Sequence, residues 1–159
     1  MKNWLPLDEI FLIQPKSPEE VDAIAEDIHK LASLLPYYEP DFIEGGMREF
    51  PEAFTVIYHL DIPVAYIEIN DSTSHDLGKD SLEFGGSVLE MYRDRGLTQQ
   101  VAPQVIRQAF KRTGKKKMLA FVPKDNKEAR FAIAALGFKY FGDLDGISRY
   151  KLDRKDALA

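Results

Sequence analysis

Residues 81–98, SLEFGGSVLEMYRDRGLT, join two segments of different periodicity. Ser81 to Leu89 carries the apolar and aromatic residues of a strand, whereas Leu97, Val101, Val105, Ala109 and Phe110 fall on one face of a helix that begins after Gly96. Gly85-Gly86 weakens that strand's ladder and predicts a bulge or a close backbone approach by a ligand. Between the two segments, Arg93-Asp94-Arg95-Gly96 brings two guanidinium groups and a glycine to a helix start. Unpaired amides and the positive end of the helix dipole favour an anion at such a place. Arg107, Lys111 and Arg112 lie towards the other helix face. Pro103 lacks the amide that would bond the Gln99 carbonyl, so a kink is expected, or a helix that becomes regular only beyond it.

Towards the N-terminus, Phe11-Leu12-Ile13 reads as a first strand. Ser17-Pro18-Glu19-Glu20 is a capping box with proline at the first helical position, and Val21, Ile24, Ala25, Ile28, Leu31, Ala32 and Leu35 predict one helix that stops at Pro36. Residues 36–53 read as a loop with a short helix around Asp41 to Phe50. Phe54 to His59 and Val64 to Ile69 are expected to pair as an antiparallel hairpin across Leu60-Asp61-Ile62-Pro63, with a polar loop from Asn70 to Asp80. Towards the C-terminus, Met118 to Val122 predicts a buried strand and Asn126 to Leu136 a helix that the Asn126 side chain is suited to cap and Gly137 closes. Phe138 to Asp143 and Ile147 to Leu152 predict a last hairpin turning at Leu144-Asp145-Gly146.

This order, β-α-(α)-β-β-β-α-β-α-β-β, implies a mixed sheet in which an antiparallel meander leads through a crossover helix to a strand parallel to the fourth. Length and the absence of a linker predict a single domain over residues 1–159. No signal-peptide core and no bilayer-length apolar run is present, so a cytoplasmic location without membrane contact is expected. The absence of cysteine excludes disulfides, a thiol nucleophile and thiolate metal sites. His29, His59 and His75 show no metal-ligand spacing, so no metal is expected, and Gly85-Gly86-Ser87-Val88-Leu89 lacks the last glycine of a nucleophile elbow.

Charge divides the chain. Residues 1–90 hold 5 Lys and Arg against 19 Asp and Glu, and residues 91–159 hold 16 against 7. A basic half attracts a polyanion and an acidic half a cation, although both could be solvated faces or could pair between subunits. Lys111, Arg112, Lys115, Lys116 and Lys117 form a basic cluster at a helix end, but the acidic first half argues against nucleic acid as the partner.

Arg93-Asp94-Arg95-Gly96-Leu97-Thr98 resembles the Arg/Gln-x-x-Gly-x-Gly/Ala signature of the GNAT superfamily of N-acetyltransferases. Asn126-Lys127-Glu128-Ala129 through Leu136-Gly137-Phe138 resembles that superfamily's next motif. The resemblance covers residues 81–152 by motif and residues 1–80 by element order. The fold it implies is α/β: a mixed, mostly antiparallel central sheet flanked by helices, with a parallel splayed strand pair, here Ser81 to Leu89 and Met118 to Val122, forming the cofactor cleft. It also implies acetyl-CoA as cosubstrate. The pyrophosphate would then be held by Arg93, Arg95, Gly96, Leu97 and Thr98, and the pantetheine arm would meet Met91, Tyr92 and Asn126. Lys127 and Arg130 would reach towards its phosphates.

Amine acetylation requires a neutral nucleophile, a thioester carbonyl held close and stabilisation of the oxyanion. In the GNAT superfamily a backbone amide of the fourth strand polarises the carbonyl, which by resemblance falls at Val88-Leu89. A carboxylate on that strand could take the acceptor's proton, and Glu83 is the first candidate, with Glu68 and Glu90 as rivals. The tyrosine that many members use to protonate the departing thiolate, seven residues after the asparagine, is Ile133 here. Tyr92, Tyr140, solvent or no acid could stand in its place. The resulting expectation is an acetyltransferase acting on an amine of a small cationic molecule or a protein, bound between the acidic stretches 36–50 and 70–80. A catalytically silent CoA-binding or protein-binding module is the alternative. Sheet edges leave a homodimer open.

Overall fold

Seven strands, β1 (Ile10–Ile13), β2 (Phe54–His59), β3 (Ile62–Asp71), β4 (Ser81–Val88), β5 (Lys117–Pro123), β6 (Lys139–Leu144) and β7 (Ile147–Asp153), form one sheet in the order β1-β2-β3-β4-β5-β7-β6. The computed structural model describes residues 4–35, 40–72 and 80–159. Helices are α1 (Pro18–Ala23), α2 (Ala25–Ser33), α3 (Pro40–Glu49), α4 (Leu97–Thr113), α5 (Lys127–Ala135) and α6 (Arg154–Ala157). β4 and β5 are parallel, while β1 with β2, β2 with β3, β5 with β7 and β6 with β7 are antiparallel. The expected α/β class and mixed, mostly antiparallel sheet are thus observed. The chain divides into two units, Met1–Glu68 with Gly86–Leu97, and Ile69–Gly85 with Thr98–Ala159.

In the first unit, the Ser17 hydroxyl accepts the Glu20 amide and Pro18 opens α1, as the capping box predicts. The single helix expected through Leu35 is instead two. At Ile24 (φ −117°, ψ 12°) the amide turns back to the Val21 carbonyl, and α2 starts one residue later. Val21, Ile24, Ile28, Leu31 and Leu35 are buried in this arrangement. Apolar spacing is therefore satisfied with or without the break, which is why it did not reveal it. Arg48 of α3 pairs with Asp22 and Glu44, and Glu44 also meets His29. The hydrogen bond from Arg48, opposed by desolvation and aided by His29, holds the Glu44 carboxyl below its ordinary range.

The hairpin between β2 and β3 turns on two residues, Leu60 (φ 49°) and Asp61 (φ 71°), rather than on the four-residue break expected. Such a left-handed pair matches the twist of the flanking strands. Pro63 consequently falls inside β3, opposite Tyr58 and next to a register shift between Ile57 and Tyr58, where its missing amide breaks no regular ladder. The Tyr58 hydroxyl donates to Asp27 at 2.8 Å, and burial together with that bond raises the phenol well above its ordinary range.

In the second unit, β5 pairs with β7 over its whole length, and β6 returns along β7 from the Asp145-Gly146 turn. α4 runs unbroken through Pro103, with Val101, Val105, Ala109 and Phe110 buried as the periodicity requires and Arg107, Lys111 and Arg112 exposed. α6 was not expected from the sequence, being one turn long. It is tied down by Arg154, whose amide donates to the Lys116 carbonyl and whose guanidinium donates to the Phe110 carbonyl.

The β4–β5 ladder comprises three pairs, Ser81 with Lys117, Leu82 with Met118 and Glu83 with Leu119, although both strands continue further. Beyond Glu83 come the two glycines, whose environments differ. Gly86 has φ +151°, and a Cβ built on it would lie 2.3 Å from the Tyr66 carbonyl oxygen, whereas one on Gly85 meets nothing within 4 Å. The close approach at Gly86 is thus made by β3, where the sequence led to the expectation of a bulge or a ligand. Gly86→Ala should destabilise the protein by about 3 kcal/mol or more. Gly85→Ala should change stability by less than about 1 kcal/mol, and urea unfolding of the two variants side by side checks the contrast.

Candidate functional site

After β4 the chain is held to β3 by the Leu89 amide, which donates to the Val64 carbonyl at 2.9 Å. A single tight turn over Glu90–Tyr92 follows, closed by the Tyr92 amide on the Leu89 carbonyl and the Arg93 amide on the Glu90 carbonyl. Asp94 (φ 61°) and Gly96 (φ 73°) then reverse the backbone into the first turn of α4, which contains no acidic residue. Arg93 is exposed. Met91 is also exposed, while Val88 is half-buried and Leu89 and Leu97 are buried, so the last two present only main chain to a ligand.

The loop is fastened from outside. The Leu5 amide donates to the Arg95 carbonyl at 3.1 Å, and the Trp4 indole lies so close to Gly96 that a Cβ there would be 2.3 Å from the ring. The Cβ face of Gly96 is therefore filled by Trp4, and the absence of a side chain there serves packing and backbone conformation. The Arg95 guanidinium stands 5.6 Å from the centroid of the Tyr92 ring. The Tyr92 hydroxyl is 2.9 Å from His59 Nδ1, and His59 Nε2 is 2.9 Å from Glu9 Oε1.

Glu83, Thr98, Asn126 and Arg130 belong to the second unit. Glu83 is half-buried and forms the last pair of the β4–β5 ladder. Thr98 is half-buried in the first turn of α4. Asn126 caps α5, its side-chain oxygen accepting the Ala129 amide at 3.1 Å. The Arg130 guanidinium donates to the Tyr150 hydroxyl at 3.0 Å and to the Lys124 carbonyl, and lies 5.7 Å from the Tyr140 ring centroid. These contacts hold Arg130 within its own unit. Ile133 is buried, so α5 offers no hydroxyl there. Partial burial and a hydrogen bond to Asp143 raise the Tyr140 phenol above its ordinary value. Of the rival carboxylates, Glu68 is half-buried opposite Phe54 and Glu90 is exposed.

His29 and His59 are engaged by Glu44 and Glu9 respectively, and His75 lies outside the described residues. Residues 36–39 and 73–79, parts of the acidic stretches expected to receive the acceptor, also lie outside them. No helix among the described residues is long and apolar enough to cross a membrane.

Comparison with solved structures settles the architecture. The GNAT domain of PAT from S. lividans superposes with a TM-score of 0.69, at 12% identity over 94% of this chain and 99% of that one. The chain has the GNAT fold. A proposed acetyltransferase, yncA from Salmonella typhimurium, solved with its cofactor acetyl-CoA, matches at a TM-score of 0.68 and 16% identity over 92% of this chain and 94% of that one. A spermidine N-acetyltransferase SpeG chimera from Vibrio cholerae and hSSAT matches at 0.65 and 16%, over 94% and 98%. No family model matches the sequence, and no curated protein matches it significantly.

Sequence reading missed Trp4, Leu5, Glu9 and His59 as partners of this loop. His59 was weighed only as a metal ligand. The pairing of Ile10 with His59 in the β1–β2 ladder brings Glu9 beside the ring, and no local signal in the sequence marks it. The Trp4 contact yields a test of the loop. Gly96→Ala should destabilise by about 2 kcal/mol through its positive φ and the indole. In Trp4→Ala the same substitution should cost less, a non-additivity that urea unfolding of the double-mutant cycle measures.

Proposed function

We propose that the chain is a member of the GNAT family and an N-acetyltransferase that moves the acetyl group of acetyl-CoA to an amine. The observation that carries this reading is the Arg93–Gly96 loop, turned by two left-handed residues into a helix start without acidic side chains, on a GNAT fold. Its donor set suits a pyrophosphate: two guanidinium-bearing residues beside backbone amides at the positive end of a 17-residue helix. Asp94 is the one acid within the loop and is exposed.

Acetyl-CoA supplies a thioester carbonyl, and the chain's own residues do the rest. Arg93, Arg95 and the main chain of Gly96, Leu97 and Thr98 hold the diphosphate, and the arm runs past Met91 towards Val88 and Leu89. Because the Leu89 amide is committed to Val64, Val88 is the main-chain candidate of that pair for polarising the carbonyl. As the amine nitrogen bonds to the carbonyl carbon and the carbon–sulfur bond breaks, Glu83 takes the nitrogen's proton, directly or through water. Asn126 meets the arm while capping α5, and Arg130, bonded to the Tyr150 hydroxyl, is a further cation for the phosphates.

A cationic acceptor is supported by the excess of acid in residues 1–90 and by a structural neighbour that acts on spermidine. A cytoplasmic location belongs to the same reading, and β1 and β6, the sheet edges, are where a second copy would add. The buried Ile133 favours one alternative, a cofactor-binding module without turnover.

The test uses Trp4, the only tryptophan, as reporter. Acetyl-CoA titrated into the protein should change Trp4 fluorescence and release heat. Arg93→Glu should weaken binding by about ten-fold or more, a cleaner probe than any change at Gly96. Thiol release with a panel of amines should follow, and Glu83→Gln should slow it by about 100-fold. Absence of acetyl-CoA binding by the wild type would end the enzyme reading; binding without thiol release would establish the silent module.

A further inference from the structure

Glu9, His59 and Tyr92 are joined in series although they come from three separate segments. Ladder pairing of Ile10 with His59 and the bond from the Leu60 amide to the Glu9 carbonyl hold Glu9 and His59 side by side at the open end of β1 and β2. His59 is buried, and its ring meets Tyr92 edge-on with centroids 5.3 Å apart. A carboxylate only accepts, so Nε2 donates to Glu9, and in the neutral ring Nδ1 accepts the Tyr92 hydroxyl. The hydroxyl is thereby given one direction, the Tyr92 ring one orientation, and Arg95 rests over its face.

We infer that Glu9 and His59 are positioning residues for the anion-binding loop: they fix Tyr92, and Tyr92 fixes the guanidinium of Arg95 where a diphosphate is to be bound. Neither touches the ligand. They act because Arg95 has a long, rotamer-rich side chain, and a guanidinium already placed loses less freedom on binding. The inference rests on the proposed acetyl-CoA reading and adds to it which residues outside the loop set its affinity.

The experiment compares two thioesters, acetyl-CoA and acetylpantetheine, which share the reacting group but differ in the nucleotide and its phosphates. Tyr92→Phe, which keeps the ring and its packing, and His59→Ala should each weaken acetyl-CoA binding by about five-fold, the scale of one oriented cation–π contact. In turnover, His59→Ala should raise KM for acetyl-CoA by the same factor with kcat unchanged, and the kinetics of that variant with acetylpantetheine should not change. The double variant His59→Ala with Tyr92→Phe should be no weaker than either alone, because both remove one chain. Glu9→Gln, whose amide oxygen can still accept from Nε2, should retain the affinity that Glu9→Ala loses. Equal losses for the two thioesters, or unchanged acetyl-CoA affinity in Tyr92→Phe and His59→Ala, would overturn the positioning role while leaving the acetyl-CoA reading intact. Failure of the wild type to bind acetyl-CoA would overturn both, and the wild-type titration alone decides that.

Discussion

The approach of the Tyr66 carbonyl to Gly86 is the constraint on which the site depends. A backbone at φ +151° with a carbonyl oxygen 2.3 Å from where a side chain would begin admits only glycine. It falls three residues beyond Glu83, where the parallel ladder with β5 ends. A strand that must bond along its whole length to both neighbours cannot also expose main chain to a ligand. β4 keeps its hold on β3 past the glycines, through Leu89 on Val64, while its ladder with β5 ends early. This asymmetry would leave main-chain groups of β4 for the proposed cofactor, and it coincides with two adjacent glycines of which only the second is sterically required.

The same economy of placement governs the loop that follows. Arg93 to Gly96 has few contacts of its own, being exposed at Arg93 and Asp94 and left-handed at Asp94 and Gly96. Left alone, such a segment would lose much conformational freedom on meeting an anion. Trp4 and Leu5 on one side and Tyr92 on the other take up part of that cost during folding. Burial of Leu97 anchors the start of α4. Rigidity at the loop is thus imported from residues ninety positions earlier in the chain.

What could be read from the sequence follows from the range of the interactions involved. Ser17 as a cap, Asn126 as a cap, Gly137 as a helix stop and the periodicities of α4 and β5 are local, and each is found where its chemistry puts it. The Arg93–Thr98 motif was legible because a turn into a helix start is also local. The break at Ile24 was not legible, since both arrangements bury the same side chains. The Leu60-Asp61 turn was misjudged in length because neither residue is a typical left-handed one, and tertiary pairing imposes the conformation. Trp4 on Gly96 and Glu9 on His59 span about 92 and 50 residues of sequence, and no spacing rule reaches that far.

The buried Ile133 bears on chemistry more narrowly than it first suggests. A general acid matters in proportion to how poor the leaving group is. A thiol, with a pKa of about 8.5 in cysteine, is far more acidic than an amine, so its thiolate is the better leaving group of the tetrahedral intermediate and has less need of a proton in the transition state. The acceptor's proton is the harder problem, because an alkylammonium near pKa 10.4 is almost wholly protonated at neutral pH and cannot attack in that form. In the proposed reaction a half-buried carboxylate such as Glu83, at the end of a ladder, would address that step, whereas a tyrosine at position 133 would address the easier one. On this chemistry, the substitution that would silence the proposed reaction is the loss of the carboxylate, and an isoleucine in α5 is compatible with turnover.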